Sequence, residues 1–156
     1  MDNSVIPTEL RPLPVINMKR LKDLRTRTFR LERSGRFGGE TEWLINGQEF
    51  HAGHNLAFPK TGQPEVWTVI NGGGGWVHPM HFHFEEHRVI SRNGVPTPLD
   101  PRHPDDNSRE DVIALEPSEE VVMYRNFRTF TGHYVAHCHN LAHEDHNMMF
   151  GFEVQP

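Results

Sequence analysis

The single cysteine of the chain, Cys138, lies between two histidines in the run HCHNLAHEDHNMM, residues 137–149. With no second thiol the chain can form no internal disulfide. The fold must therefore be held by its core, and Cys138 is either a small buried hydrophobe or a ligand or nucleophile. The tripeptide also restricts local geometry. In an extended strand successive side chains point to opposite faces, so His137 and His139 share one face and the thiol takes the other. Any metal held by Cys138 is then a different metal from one held by its two neighbours.

The pattern on either side supports an extended reading. Short β-type runs recur with turn residues between them: 27–32, 42–45 ending at Asn46-Gly47, 66–71 ending at Gly72–Gly75, 81–90 ending at Asn93-Gly94, 111–115, 120–127, 132–139 and 149–154. Helical periodicity is nearly absent and there is no internal repeat, which predicts an all-β sandwich or barrel. Residues 1–20 contain Pro7, Pro12 and Pro14 and are expected to form an extended linker packed along a surface, leaving 21–156 as one domain. The proline-rich segment 93–110 is expected to be a surface excursion with little to bury.

Sixteen basic against twenty-one acidic residues give a formal charge of −5, and no dense basic cluster occurs. That excludes the electrostatic footprint of a nucleic-acid binder. No run of 18 apolar residues is present, and the first twenty residues lack the apolar segment of a secretory signal.

Twelve histidines are far above ordinary usage, and seven of them, His78, His81, His83, His137, His139, His143 and His146, fall in two short stretches. Such clustering points to metal. In HPMHFHF, His81 and His83 share a strand face, with Phe82 and Phe84 directed to the core. His78, three positions earlier and next to Pro79, is free to serve a separate centre. In the second stretch a helical turn at Leu141-Ala142 brings His143 and Met148 back toward the sulfur. Two imidazoles, one thiolate and a thioether are the donors of a blue-copper electron-transfer site, and His78, Cys138, His143 and Met148 supply them. Met149 is expected to pack in the core.

HPMHFH at 78–83 and HCHNLAHEDHNM at 137–148 resemble the two copper signatures of the C-terminal cupredoxin domain of multicopper oxidases, the laccase and bilirubin oxidase group. LINGQEF and EVWTVIN resemble the strands that precede the first signature in bacterial and spore-coat laccases, and the likeness extends over residues 8–156. The resemblance implies a Greek-key cupredoxin-like β-sandwich with one short helix near the C-terminus. It also implies copper as cofactor, with His78, Cys138, His143 and Met148 at a type 1 copper, His81 at a type 2 copper, and His83, His137 and His139 at a type 3 pair. Glu144 resembles the acidic residue that feeds protons to the oxygen-reducing cluster. A small-molecule or metal-ion reductant would be oxidised one electron at a time at the type 1 site, electrons would pass through the Cys138 peptide to His137 and His139, and oxygen would be reduced to water. Relatives usually work outside the cytoplasm.

The resemblance also implies a shortfall, because the family's oxygen-reducing cluster takes as many histidines again from an N-terminal domain. His51 and His54 have the wrong spacing to replace them. The chain is therefore expected to need a second cupredoxin domain or chain, or self-association as an oligomer. His87 stands where relatives carry an apolar aromatic, implying altered packing near the type 1 group. Two rival readings use the same residues: a stand-alone or oligomeric cupredoxin electron carrier, and a cupin-type mononuclear metalloenzyme suggested by Gly75, His81, His83 and Glu86.

Overall fold

The computed structural model describes residues 2–8, 11–35, 41–97 and 99–156. Of the expected linker, Met1, Glu9 and Leu10 lie outside the described residues, as does Pro98 of the expected loop.

Among the described residues eleven strands form two sheets. They are β1 (Arg25–Arg33), β2 (Trp43–Ile45), β3 (Asn55–Ala57), β4 (Glu65–Asn71), β5 (His78–Phe82), β6 (His87–Arg92), β7 (Val95–Pro96), β8 (Val112–Leu115), β9 (Glu120–Arg125), β10 (Gly132–Cys138) and β11 (Met149–Val154). The first sheet runs β2-β1-β4-β9-β6-β7 and the second β3-β11-β10-β5-β8, with β1·β4 and β3·β11 parallel and the remaining pairs antiparallel. Among the described residues one short α-helix, α1 (Leu141–Asp145), sits near the C-terminus. The all-β sandwich with a single short helix therefore agrees with the sequence reading. Among the described residues no helix is long and apolar enough to cross a membrane.

Alternation along the strands builds the core. Val121, Met123 and Arg125 of β9 point inward, as do His78, Met80 and Phe82 of β5. Between the sheets Trp67 meets Phe152 edge-on at 5.5 Å, and Phe29 stacks on Phe150 at 4.3 Å. Each such fully buried aromatic side chain contributes on the order of 2–3 kcal/mol.

Several local expectations are corrected. The run 81–90 is not one strand: β5 ends at Phe82, the chain turns through 83–86, and β6 joins the other sheet. Alternation stops with the strand, so Phe84 is 37% exposed and stacks on Tyr134 at 4.9 Å instead of entering the core. A 3-10 helix, Met18–Asp23, begins inside the stretch expected to be extended. Further upstream the Pro12 and Pro14 carbonyls accept from Arg109 at 2.6 Å and Arg88 at 3.5 Å. Segment 93–110 buries more than its composition suggests. The buried Arg92 guanidinium grips Asp106 at 2.6 and 3.0 Å and Glu119 at 2.8 Å, which ties the short 3-10 helix Pro104–Asn107 to the sandwich.

Candidate metal centres

Strands β5 and β10 lie antiparallel with His137 opposite His81 and Cys138 opposite Met80. This register decides which side chains meet. Cys138 and His78 face the interior beside Met80, while His81 and His137 face outward with His83. The strand carries two donor sets back to back.

On the inner side the donors converge. His78 Nδ1 lies 3.1 Å from His143 Nδ1, and Cys138 Sγ lies 3.9 Å and 3.7 Å from those two atoms. A point about 2.1 Å from all three exists at the centre of that triangle, matching a metal–nitrogen bond length. Two imidazole lone pairs 3.1 Å apart repel unless a proton or cation lies between them, so the geometry suits a bound ion. His78 and Cys138 are fully buried and His143 nearly so.

Short-range structure places His143. Asn140 starts α1, its carbonyl accepts the His143 N–H at 2.9 Å, and its own N–H donates to Cys138 Sγ at 3.4 Å. The Met148 N–H donates to the His143 carbonyl at 2.9 Å, and the Met148 carbonyl accepts from the Cys138 N–H at 3.1 Å. Met148 is thereby fixed beside the cysteine and completely buried. Met149 is half-buried in β11.

The electrostatics favour a metal-binding pocket over a solvated one. Burial, reinforced by the charge of His143 and weakly opposed by the Gly73 backbone, lowers His78 to about 4. His143 is also lowered, first by burial and then by His146 and Arg33. Both rings are thus neutral, with lone pairs available to an ion. Burial raises the Cys138 thiol, and Glu144 adds to this against the Asn140 N–H. Without an ion the sulfur keeps its proton, and a metal cation must displace it.

On the outer side His81, His83 and His137 bring one donor atom each within 4.8 Å of the others. His83 Nε2 and His137 Nε2 are 3.3 Å apart. His81 Nδ1 donates to the Asp111 carbonyl at 3.0 Å, which orients the ring and leaves Nε2 bare for a metal. His139 stands at the exposed rim, its ring 5.0 Å from His137 and 5.3 Å from His81. Glu144 lies 3.4 Å from His137 Nδ1, within reach of the same ring.

Residues that the motifs did not single out complete the inner pocket. Trp43 packs against both imidazoles, its ring edge-on to His78 at 5.0 Å and tilted against His143 at 4.2 Å. Trp76, half exposed, meets His143 edge-on at 5.5 Å and links it to the surface. Asn71 ties the glycine turn down, donating to the Trp76, Leu115 and Glu116 carbonyls and accepting from the Gly73 N–H. The Gly72–Gly75 run signalled only a turn, and no local signal ties Trp43 to the site. His87, expected to alter packing beside the inner group, packs edge-on against Phe82 at 5.5 Å, with neither ring nitrogen hydrogen-bonded.

The multicopper oxidase family profile matches residues 17–156. A bilirubin oxidase from Albifimbria verrucaria is 40% identical over 98% of the chain and 26% of its own length. A laccase from Bacillus subtilis (strain 168) is 29% identical over 98% of the chain and 32% of its own. In crystal structures, the McoA multicopper oxidase from Aquifex aeolicus superposes with a TM-score of 0.75 at 23% identity, over 99% of this chain and 34% of that one. A multi-copper oxidase from Pediococcus acidilactici gives 0.70 at 28% identity, over 99% and 31%. The chain thus spans between a quarter and a third of these relatives. A cupredoxin sandwich, a buried cysteine with two histidines and a profile match across nearly the whole domain lead to one assignment: the chain belongs to the multicopper oxidase family, whose cofactor is copper.

Proposed function

We propose that this chain is the domain of a laccase-like oxidase that receives electrons from a reducing substrate and supplies part of the site at which oxygen is reduced to water. In this reading His78, Cys138, His143 and Met148 hold the type 1 copper, His81 the type 2 copper, and His83, His137 and His139 the type 3 pair. The copper ions supply the one-electron redox chemistry. The chain's own residues do the rest. Trp76 offers an exposed contact to His143 for an incoming small-molecule or metal-ion reductant. Trp43 and the buried sandwich keep water from the thiolate. The peptide His137–Cys138–His139 joins the two donor sets by covalent bonds, and Glu144 can pass protons along the outer face from its position beside His137.

The observation that carries the proposal is the register of β5 on β10, which sets thiolate and imidazoles on opposite sides of one strand. The outer set has three close donors and one at the rim, so a second cupredoxin domain or chain, or another copy of this one, completes it in our reading. The names of the relatives, bilirubin oxidase and laccase, support oxygen-dependent oxidation of an organic reductant.

A chimera tests this directly. Residues 17–156 replace the matching segment of the Albifimbria verrucaria bilirubin oxidase, and oxygen uptake is measured with a phenolic reductant. The expected result is uptake that Cys138→Ser abolishes. A fully copper-loaded chimera that consumes no oxygen would overturn the proposal.

A further inference from the structure

The inward face of β9 reads Val121, Met123, Arg125, so a guanidinium occupies a core position where its two companions are apolar. Arg125 has no exposed surface, and its central carbon lies 4.8 Å from the Trp67 ring, 5.0 Å from Phe127 and 5.2 Å from Phe82. Placing an ion there is costly compared with an apolar residue of similar volume. The three π faces offset part of that cost. Nε and Nη1 have no hydrogen-bond acceptor.

What remains is Nη2. It donates to the His83 carbonyl at 3.1 Å and to the Glu85 carbonyl at 3.1 Å. These carbonyls belong to the turn by which the chain leaves β5 and crosses to the other sheet. On its amino side His83 is held by its own N–H, which donates to the Val135 carbonyl of β10 at 3.1 Å. His83 is therefore pinned at both ends, once from the neighbouring strand and once from across the sandwich. Its ring, fixed in this way, brings Nε2 to 3.3 Å from His137 Nε2.

We propose that Arg125 is a positioning residue of the outer histidine set, acting through the His83 and Glu85 carbonyls to aim the His83 imidazole. An apolar side chain would fill the same core volume but leave both carbonyls without a donor and the turn free to shift. The role rests on the reading that His81, His83 and His137 bind copper. Burial lowers the guanidinium to about 9, against the opposing charges of Glu85 and Glu65, so the cation persists at neutral pH.

The test uses the 156-residue chain carrying Cys138→Ser and His143→Ala, which takes away two of the inner donors so that cupric ion reports on the outer face. Copper affinity and the nitrogen hyperfine pattern in electron paramagnetic resonance are compared for Arg125, Arg125→Met and Arg125→Lys. Removing a group that orients a metal ligand typically weakens binding about 10–100-fold. Arg125→Met is expected to fall in that range with an altered hyperfine pattern. Arg125→Lys, with one ammonium serving two carbonyls, should lie between it and the parent. In the Cys138 background the blue absorption of the inner site should stay unchanged, separating a local effect from loss of the fold. A folded Arg125→Met, or a folded Arg125→Lys where the methionine variant does not fold, that matches the parent in affinity and spectrum overturns the positioning role alone. A parent that takes up no copper through histidine nitrogen overturns this role, and a copper-loaded chimera that consumes no oxygen overturns the reading beneath it.

Discussion

Gly73 tests how tightly the inner pocket is packed. A methyl group at this position would sit 2.9 Å from Trp43 Cζ3 and 3.1 Å from His78 Nε2, both inside the ordinary contact distance. Neither neighbour has room to retreat, because Trp43 is 3% exposed and His78 fully buried. The turn cannot easily move outward either, since the Gly73 N–H is held by Asn71 Oδ1 at 3.1 Å. Overpacking of a closed site costs about 1–3 kcal/mol, so Gly73→Ala is expected to lower stability by about 2 kcal/mol. For a domain of this size that is a fall of about 4–8 °C in melting temperature. The displaced His78 ring should also shift the visible spectrum of the copper-loaded chain, because the methyl group presses on the imidazole proposed to hold the metal. Calorimetry and absorption spectroscopy read the two effects on one sample. A Gly73→Ala chain with an unchanged melting temperature and an unchanged copper spectrum would refute the packing argument.

Asn71→Ala removes four hydrogen bonds from a residue that is almost completely buried, and leaves the Trp76, Leu115 and Glu116 carbonyls without this donor. A loss of about 3 kcal/mol is expected in urea unfolding, with a shift in Trp76 fluorescence; a loss under about 1 kcal/mol would contradict the role given to this side chain. The metal-free chain should lose stability on acidification. His78 is lowered from 6.5 to about 4 by burial and by His143, and His87 is pushed well below its ordinary value by burial and by Arg125. The unfolded chain binds these protons first, so the stabilisation is complete above about pH 6.5 and is lost as the pH falls toward about 4, with roughly 3 kcal/mol from His78 alone. A melting temperature that stays flat over that interval would contradict this sign.

Much of the site is legible in the sequence because strand alternation is a local rule. His81 with His83, and Cys138 opposed to His137 and His139, follow from period two, and the structure brings them together on those faces. The helical turn that returns His143 is also a local matter, set by Asn140. The bend after Phe82 is not. The residues 81–90 alternate well enough to read as one strand, and the carbonyls of the bend are met by Arg125, 42 residues away from His83. Continued alternation would put Phe84 in the core, and it lies outside it. Trp43 and Asn71 reach the inner pocket through sheet pairing and long-range hydrogen bonds, which carry no signature in the residues around them. The burial of Asp106 depends likewise on Arg92, on a strand that precedes the loop.

Central to the account is the claim that one strand separates two copper sites of different chemistry. Copper titration of the chain, followed together by absorption and electron paramagnetic resonance in the parent, Cys138→Ser and His81→Ala proteins, tests it most directly. Two distinct coppers are expected: one intensely blue and lost only with Cys138, the other bound by nitrogen and weakened only with His81. A single copper whose signals disappear in both variants would show that the two donor sets serve one ion, and would contradict the account.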